Sequence, residues 1–329
     1  MYSNQLDDQN PLFGNYIYQH VIPVDHLLKK IDKIIDFGFV ETETKQLYSS
    51  IGRPGISPVL MFKMIMVGFL YNISDRRLEE EVNLNIAYKW FVGLDVDQKA
   101  PDHSSLTRFR ERLGEEGFRS LFNRIVQIAG NKGLINERLT IIDATHVEAN
   151  VDIARLKKHK HNDDDHTYVD RNSPDPDARF GRKSKTKGFY GYKDHIAIDA
   201  DSAIITSVET TPGNVPDRDV FEQLIRGQPD SLTADKGYDT NENLLILKAR
   251  SIQPAIIPVN RGPGRPPLVE RERPKVERMF AELKRNHGKA RCRWLGLAKG
   301  NIQSLLSCAA VNLKTIARLI MKVPVVNYA

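Results

Sequence analysis

The residues best suited to chemistry lie near the C-terminus, in the run Arg273-Pro-Lys-Val-Glu277-Arg-Met-Phe-Ala-Glu-Leu-Lys284. Val276, Met279, Phe280 and Leu283 recur at helical spacing and predict an amphipathic helix. On that helix Arg273, Glu277 and Lys284 project from roughly one side. A carboxylate flanked by two cations suits a site that holds a metal ion and a phosphodiester together. Two aspartates upstream can complete it. Asp143 ends the β-rich run Leu139-Thr-Ile-Ile-Asp143, and Asp235 ends Ser231-Leu-Thr-Ala-Asp235. Phosphodiester cleavage or transfer at neutral pH needs an activated hydroxyl and a stabilised leaving oxygen, and two divalent cations about 4 Å apart supply both. Mg2+ prefers oxygen ligands and usually takes only one or two protein carboxylates per ion. Two aspartates and a glutamate meet that need without His or Cys. Singly, each acid is ambiguous: a strand-end Asp is more often a turn residue or cap, and Glu277 alone can be an i,i+4 partner of Arg273.

These side chains need rigid elements behind them. Strand ends are such platforms, and the second half of the chain supplies strand patterns. Tyr192–Ile198 and Ala203–Thr210 flank Asp201-Ser202 as in a hairpin, and Ala255–Val259 is strand-like. Val220–Ile225, Asn241–Ala249 and Ile302–Ile320 read as helices, and residues 260–267 as a Gly/Pro loop. A hairpin first, then alternation with helices, predicts a mixed α/β sheet. Residues 152–187 are hydrophilic, with His159, His161, His166, the run Asp163-Asp164-Asp165 and a basic stretch from Arg179 to Lys187. Such density can bind a metal, but a flexible polar run lacks the surrounding bonds that fix ligands, so a solvated loop is the reading.

The first 135 or so residues read as helical. Leu27, Leu28, Ile31, Ile34 and Ile35 have amphipathic spacing, and Pro58 can open a helix through Leu70. Ser74 or Asp75 can cap the next helix. Asp102 sits where an N-cap would precede Ser105–Leu113, which Gly114 ends, and a longer helix runs from Glu116 to Ala129. Short helices with turns between them suit either a helix-turn-helix DNA reader or a bundle that supports the second domain or dimerises.

Composition narrows the class. The 329 residues are enough for two domains, and 40% hydrophobic with 27% charged residues is a soluble globular balance. The formal charge of +6 is uneven: residues 1–140 carry 17 Lys+Arg against 18 Asp+Glu, and the remainder 31 against 24. The half that holds the candidate site is therefore the basic one, which favours a polyanionic partner. Two cysteines, Cys292 and Cys308, have no metal-type spacing, so a reduced cytosolic protein is expected. The polar, acidic start is unlike a signal peptide. The apolar run Val59–Tyr71 is too short to span a bilayer and contains Lys63, so no membrane partner is expected.

The motifs resemble those of bacterial insertion-sequence DDE transposases. Arg273, Glu277 and Lys284 match the R, E and K of their Y-R-E-K helix signature, with Glu270 where the signature has Tyr. Ile141-Ile-Asp143-Ala-Thr145 resembles their first-aspartate motif, and Asp235-Lys-Gly237-Tyr238 their second, D-x-G-Y. Ser74-Asp75-Arg76-Arg77, Trp90-Phe91-Val92-Gly93-Leu94 and Pro101-Asp102-His103-Ser104-Ser105-Leu106-Thr107-Arg108-Phe109-Arg110 are similar to the helical N-terminal domain of the insertion-sequence-five branch. The resemblance covers roughly residues 45–320.

It implies an α+β or mixed α/β protein. A helical, DNA-binding domain over residues 1–135 would precede an RNase H-like catalytic domain over 136–322, its mixed sheet flanked by helices, and a tail over 323–329. It implies two Mg2+ ions, replaceable by Mn2+, held by Asp143, Asp235 and Glu277. Arg273 and Lys284 would contact phosphates near the cut, with Arg285, Lys289, Arg291 and Arg293 extending that surface and Arg108 and Arg110 near DNA in the N-terminal domain. Tyr238 and Trp294 can stack on an unpaired base or pack half-buried. His146 would support the site rather than donate a proton. The partners would be double-stranded DNA, as transposon ends and target, and a second copy of the chain on that DNA, in the bacterial cytoplasm. The activity would be cleavage at terminal inverted repeats and strand transfer. A nuclease on the same scaffold, or a non-catalytic DNA-binding relic, remain the alternatives.

Overall fold

Helices form in the N-terminal part where apolar spacing calls for them. In the computed structural model of the chain, residues 11–48, 55–158, 165–182, 188–258 and 271–321 are described. They make two compact units, one reaching to Ala129 and resuming at Ala309, the other running from Gly130 to Cys308. By packing, the residues from Ala309 to Met321 group with the N-terminal unit. The 323–329 tail, Glu270 and the 260–267 loop lie outside the described residues.

The N-terminal unit contains α1 (Pro11–Val21), α2 (Leu27–Ile34), α3 (Phe39–Thr44), α4 (Pro58–Leu70), α5 (Asp75–Leu84), α6 (Ile86–Val92) and α7 (His103–Asn131). Pro58 stands at the first helical position, where its missing N–H leaves nothing unsatisfied. Ten of the 13 residues of α4 are buried, as expected of a helix apolar all round. Phe37, Phe39, Phe62 and Phe91 pack their rings around it at 5.7–6.3 Å. Ser74 precedes α5, and the Asn85 side chain accepts from Ala87 N and Tyr88 N to start α6. Asp102 accepts from Ser104 N at the start of α7. Gly114, at φ 61° and ψ −173°, breaks α7 where sequence placed a helix end.

The second unit is built on one six-stranded sheet. Its strands are β1 (Leu139–Glu148), β2 (Arg179–Arg182), β3 (Gly188–Asp199), β4 (Ile205–Pro212), β5 (Ser231–Thr233) and β6 (Gln253–Pro254). β3 pairs antiparallel with β1, β2 and β4, while β1, β5 and β6 run parallel. Between strands lie α8 (Ile153–Lys157), α9 (Asp165–Asn172), α10 (Phe221–Leu224) and α11 (Asn241–Ala249), and after the last strand come α12 (Pro274–Asn286) and α13 (Leu297–Met321), whose end belongs to the other unit. The mixed α/β class and the hairpin at Asp201-Ser202 are as expected, and four antiparallel strands joined through β1 to the parallel β5 and β6 suit the RNase H-like reading.

Three expectations need correction. Residues 152–187 are not simply a solvated loop. Among the described ones, α8, α9 and β2 form, and Val169 and Ala178 join Tyr190, Tyr192 and Val147 in a core cluster. The buried Asp175 carboxylate anchors this segment by accepting from the Tyr192 hydroxyl and the Ala178 N–H. The His166 ring stacks on Phe180; His159, His161, Asp163 and Asp164 lie outside the described residues. The strand expected at Ala255–Val259 is instead the short β6, two residues earlier. Finally, β1 does not stop at Asp143 but continues five residues further along β3. α13 is long and apolar enough to cross a bilayer by length and composition, but 72% of its apolar window is buried in protein, as in a core helix.

Candidate active site

Asp143 lies where β1 changes neighbours. Parallel pairing with β5 covers only Leu139–Ile141, whereas antiparallel pairing with β3 continues to Glu148. Beyond Thr233 the chain leaves the sheet, and Asp235 caps the 3-10 turn Lys236–Tyr238 by accepting from Lys236 N at 2.7 Å. The parting of β1 and β5 is thus flanked by one carboxylate from each. Asp235 is a cap, the commonplace role of a strand-end aspartate, but its second oxygen remains for other work.

One cation joins the two acids. Arg273, the residue before α12, puts Nη1 3.2 Å from Asp235 Oδ1 and Nη2 3.7 Å from Asp143 Oδ2. This differs from an i,i+4 pairing with Glu277. Burial works against the Arg273 charge, but Asp143 and Asp235 outweigh it and push its pKa up, with Glu277 adding to their effect. Burial lifts the Asp143 carboxyl to about 6. Arg273 and the Ala144 N–H oppose that rise, while Asp235 and Asp217 reinforce it.

α12 carries Glu277 in its first turn, exposed. Pro274 at the first helical position starts the helix, and Val276, Met279, Phe280 and Leu283 bury its apolar stripe as predicted. α12 packs against β1 and is tied to the sheet at both ends. Lys275 Nζ donates to Ala200 O at 2.7 Å and pairs with the buried Glu272. Beyond the far end, Lys289 Nζ lies 2.7 Å from Asp194 Oδ2 and donates to Ser304 Oγ. Glu148 N donates to Ala290 O, and Cys292 N donates back to Glu148 O. Glu277 therefore projects from a helix whose register against β1 is fixed by charge pairs and backbone bonds.

The remaining site residues divide. Lys284 is half-buried and Arg285 exposed on α12; Arg293 and Trp294 are half-buried after it. Arg291 spends its guanidinium on Ala149 O and Val151 O. Lys289 does not extend a basic surface: it is 2% exposed, because burying Asp194 requires its charge. Tyr238 is not available to stack on a base: its ring is 1% exposed and packs on Phe221 with centroids 5.7 Å apart. In the N-terminal unit Arg108 is exposed, but Arg110 is buried against the Asp75 carboxylate, with Nη1 3.3 Å from Oδ1. It holds α7 to α5. His146 rests its ring 5.3 Å from that of Phe189. Glu282 accepts from Asn286, as befits a residue turned away from Glu277. Asp217, whose charge reinforces the rise at Asp143, sits in a turn-like Gly213-Asn-Val-Pro-Asp217 run and pairs with Lys193.

The donor set fits a hard divalent cation. Asp143 and Asp235 already share a positive group, both offer oxygens only, and Glu277 is a third carboxylate whose charge acts on the same guanidinium. Thiolate ligation is disfavoured, since burial pushes the Cys292 thiol up to about 11. A separate group in the N-terminal unit, Glu79, Asp102 and His103, serves the start of α7: Glu79 Oε2 accepts from both His103 N and Nδ1 at 2.8 Å.

Residues 136–313, more than half of the chain, match the family model described as "Transposase DDE domain". Residues 16–112 match one described as "Transposase domain (DUF772)". Solved structures to which the chain is similar include a piggyBac transposase synaptic complex with hairpin DNA and a Mos1 transposase paired-end complex with left transposon end. The first is 11% identical over 79% of this chain and 54% of that one, with a TM-score of 0.29. The second is 10% identical over 80% and 82%, with a TM-score of 0.20. The chain spans about half the length of the piggyBac chain. Asp143, Asp235, Arg273 and Glu277 all fall inside the first match, and by its extent the chain belongs to the transposase DDE domain family.

Proposed function

We propose that this transposase binds the terminal inverted repeats of its own element, cuts DNA there with divalent cations held by Asp143, Asp235 and Glu277, and joins the freed ends to target DNA. We also assign it to the insertion-sequence-five branch, on Arg273, Glu277 and Lys284 and on the Pro101–Arg110 motif. The observation that carries the reading is the meeting of Asp143 and Asp235 across one guanidinium, on a helix that presents Glu277 a turn later.

The cations, Mg2+ or Mn2+, supply charge at the attacking and leaving oxygens when bound. The protein's part is to hold and to exchange. A dication held there would offset the burial that disfavours the ionised Asp143 carboxylate. With a cation on the carboxylates, the Arg273 guanidinium would be free to pair with two oxygens of a phosphate, an arrangement that suits its planar fork. Lys284 and Arg285, further along α12, follow the strand, and Trp294 offers a half-buried ring beside it. Arg108 contributes end contacts from the N-terminal unit. Two ends must be processed together, so the DNA-bound form is a homodimer, each copy bringing one site.

The test uses purified full-length protein and a labelled duplex carrying the sequence that flanks its coding region. With Mg2+ we expect nicking at the repeat boundary and, with a plasmid present, joined products. EDTA abolishes both. Nicks scattered without sequence preference, or cutting that never yields joined products, would oppose the reading.

A further inference from the structure

The Trp90-Phe91-Val92-Gly93-Leu94 motif has no part in the site described above. Phe91, Val92 and Leu94 are buried, whereas Trp90 is only half-buried. A cleft of about 610 Å³ opens beside it, lined by Val24, Trp90, Met321 and three lysines of α2, Lys29, Lys30 and Lys33. All of these residues belong to the N-terminal unit. At 3.6 residues per turn the three lysines occupy roughly 100° of α2, on the side away from the buried Leu28 and Ile31.

The lysines have different duties. Lys29 Nζ donates to Ile22 O at 2.7 Å and stands 6.0 Å from the centroid of the Trp90 ring, so it is spent on the wall of the cleft. The ammonium groups of Lys30 and Lys33 have no hydrogen-bond or ion-pair partner among the described residues. Lys33 is exposed and Lys30 partly so. Two carboxylates also line the cleft, Asp25 and Asp32. They do not cancel the lysines, because Asp32 Oδ1 already takes Lys63 Nζ at 2.6 Å. Counting Lys63, the cleft holds four cations against two carboxylates. This stands out in residues 1–140, where acids and bases are otherwise almost balanced. Two unpaired ammonium groups beside a flat ring match the repeat of a nucleic acid strand, with phosphates for the lysines and a sugar for the ring.

We propose that the cleft between α2 and α6 holds one strand of duplex DNA by its backbone, with Lys30 and Lys33 on phosphate oxygens and the Trp90 ring against the sugar between them. The inference rests on the DNA-binding reading given above and adds a surface on α2 and α6 to the contact assigned to Arg108. Backbone contacts fix a protein on the duplex without reading its sequence. The cleft therefore engages an element end and unrelated DNA alike.

The test measures duplex binding by full-length protein in Ca2+ across a salt series, on the element's own end and on an unrelated duplex of equal length. Lys30→Gln combined with Lys33→Gln removes both charges and keeps helix-forming side chains, so its melting temperature should match wild type. We expect it to bind both duplexes roughly tenfold more weakly and to flatten log K against log[salt] by about two units. A second readout uses Trp294→Phe, which leaves Trp90 as the single tryptophan. Its emission should change with added duplex and saturate. A wild type that binds both duplexes, with a double variant of unchanged affinity and slope, would overturn the proposal and spare the DNA reading. Trp90 emission that ignores saturating DNA but changes when residues 322–329 are deleted would also overturn it, by giving the cleft to the chain's own end. A wild type that binds neither duplex would overturn the DNA reading, and this proposal with it.

Discussion

Asp143→Asn should make the metal-free protein more stable. The structure gives the size of the effect. Burial lifts the Asp143 carboxyl from 3.8 to about 6 despite the nearby Arg273. At about 1.4 kcal/mol per pKa unit, its ionised form disfavours the fold by about 3 kcal/mol above pH 6. Asparagine removes that charge and keeps an acceptor for Ala144 N–H, which is 2.9 Å from Oδ1. The pH dependence has a definite sign. A carboxyl raised by folding favours the fold below its unfolded pKa, and this stability is lost as pH rises through about 6. His195 acts oppositely. Burial lowers it from 6.5 to about 4, so its contribution is present above 6.5 and lost as pH falls through about 4. Between pH 8 and pH 5 the wild type gains about 1.4 kcal/mol from Asp143 and loses about 2 from His195, a nearly flat balance. The variant keeps only the loss. Denaturant unfolding in EDTA at pH 8 and pH 5 measures both. We expect the variant to be more stable at pH 8 and to lose about 1.4 kcal/mol more than wild type on going to pH 5. A less stable variant at pH 8, or equal pH slopes, would refute the account of Asp143.

Other perturbations separate structural from functional cations. Lys289→Met should destabilise by about 3–5 kcal/mol in denaturant unfolding, because it strands the buried Asp194, and adding Asp194→Asn should recover much of the loss. Arg110→Met should lower the melting temperature while leaving the salt slope of end-DNA binding unchanged, whereas Arg108→Ala should flatten log K against log[salt] by about one unit. Arg273→Gln should tighten Mn2+ binding without DNA, because it removes a competing cation, and weaken end-DNA affinity measured in Ca2+.

Local sequence pattern placed the candidate acids in the fold better than it described their surroundings. Asp235 and the helix around Glu277 stand where their local patterns put them, since a strand-to-turn cap and an amphipathic stripe are short-range facts. Asp143 was legible as a strand residue, but the reason it is special, the parting of β5 from β1, depends on pairing across some ninety residues. Exposure was the weakest inference. Arg110 and Lys289 look like Arg108 and Arg285 in sequence, and only partners far along the chain, Asp75 and Asp194, draw them inside. Tyr238 follows the same rule, its ring taken by Phe221 and the core around α11. The polar 152–187 segment misled because a single buried acid, Asp175, organises it, and composition does not reveal which of many aspartates does so.

The central claim is that Asp143, Asp235 and Glu277 form one metal-dependent catalytic group. Its most direct test compares Asp143→Asn, Asp235→Asn and Glu277→Gln on a labelled duplex bearing the element's own end. Binding is measured in Ca2+ and single-turnover cleavage in Mg2+. We expect each variant to bind the end with near wild-type affinity and to show no detectable cleavage. Cleavage at close to the wild-type rate by any one of them would remove that residue from the group and contradict the account.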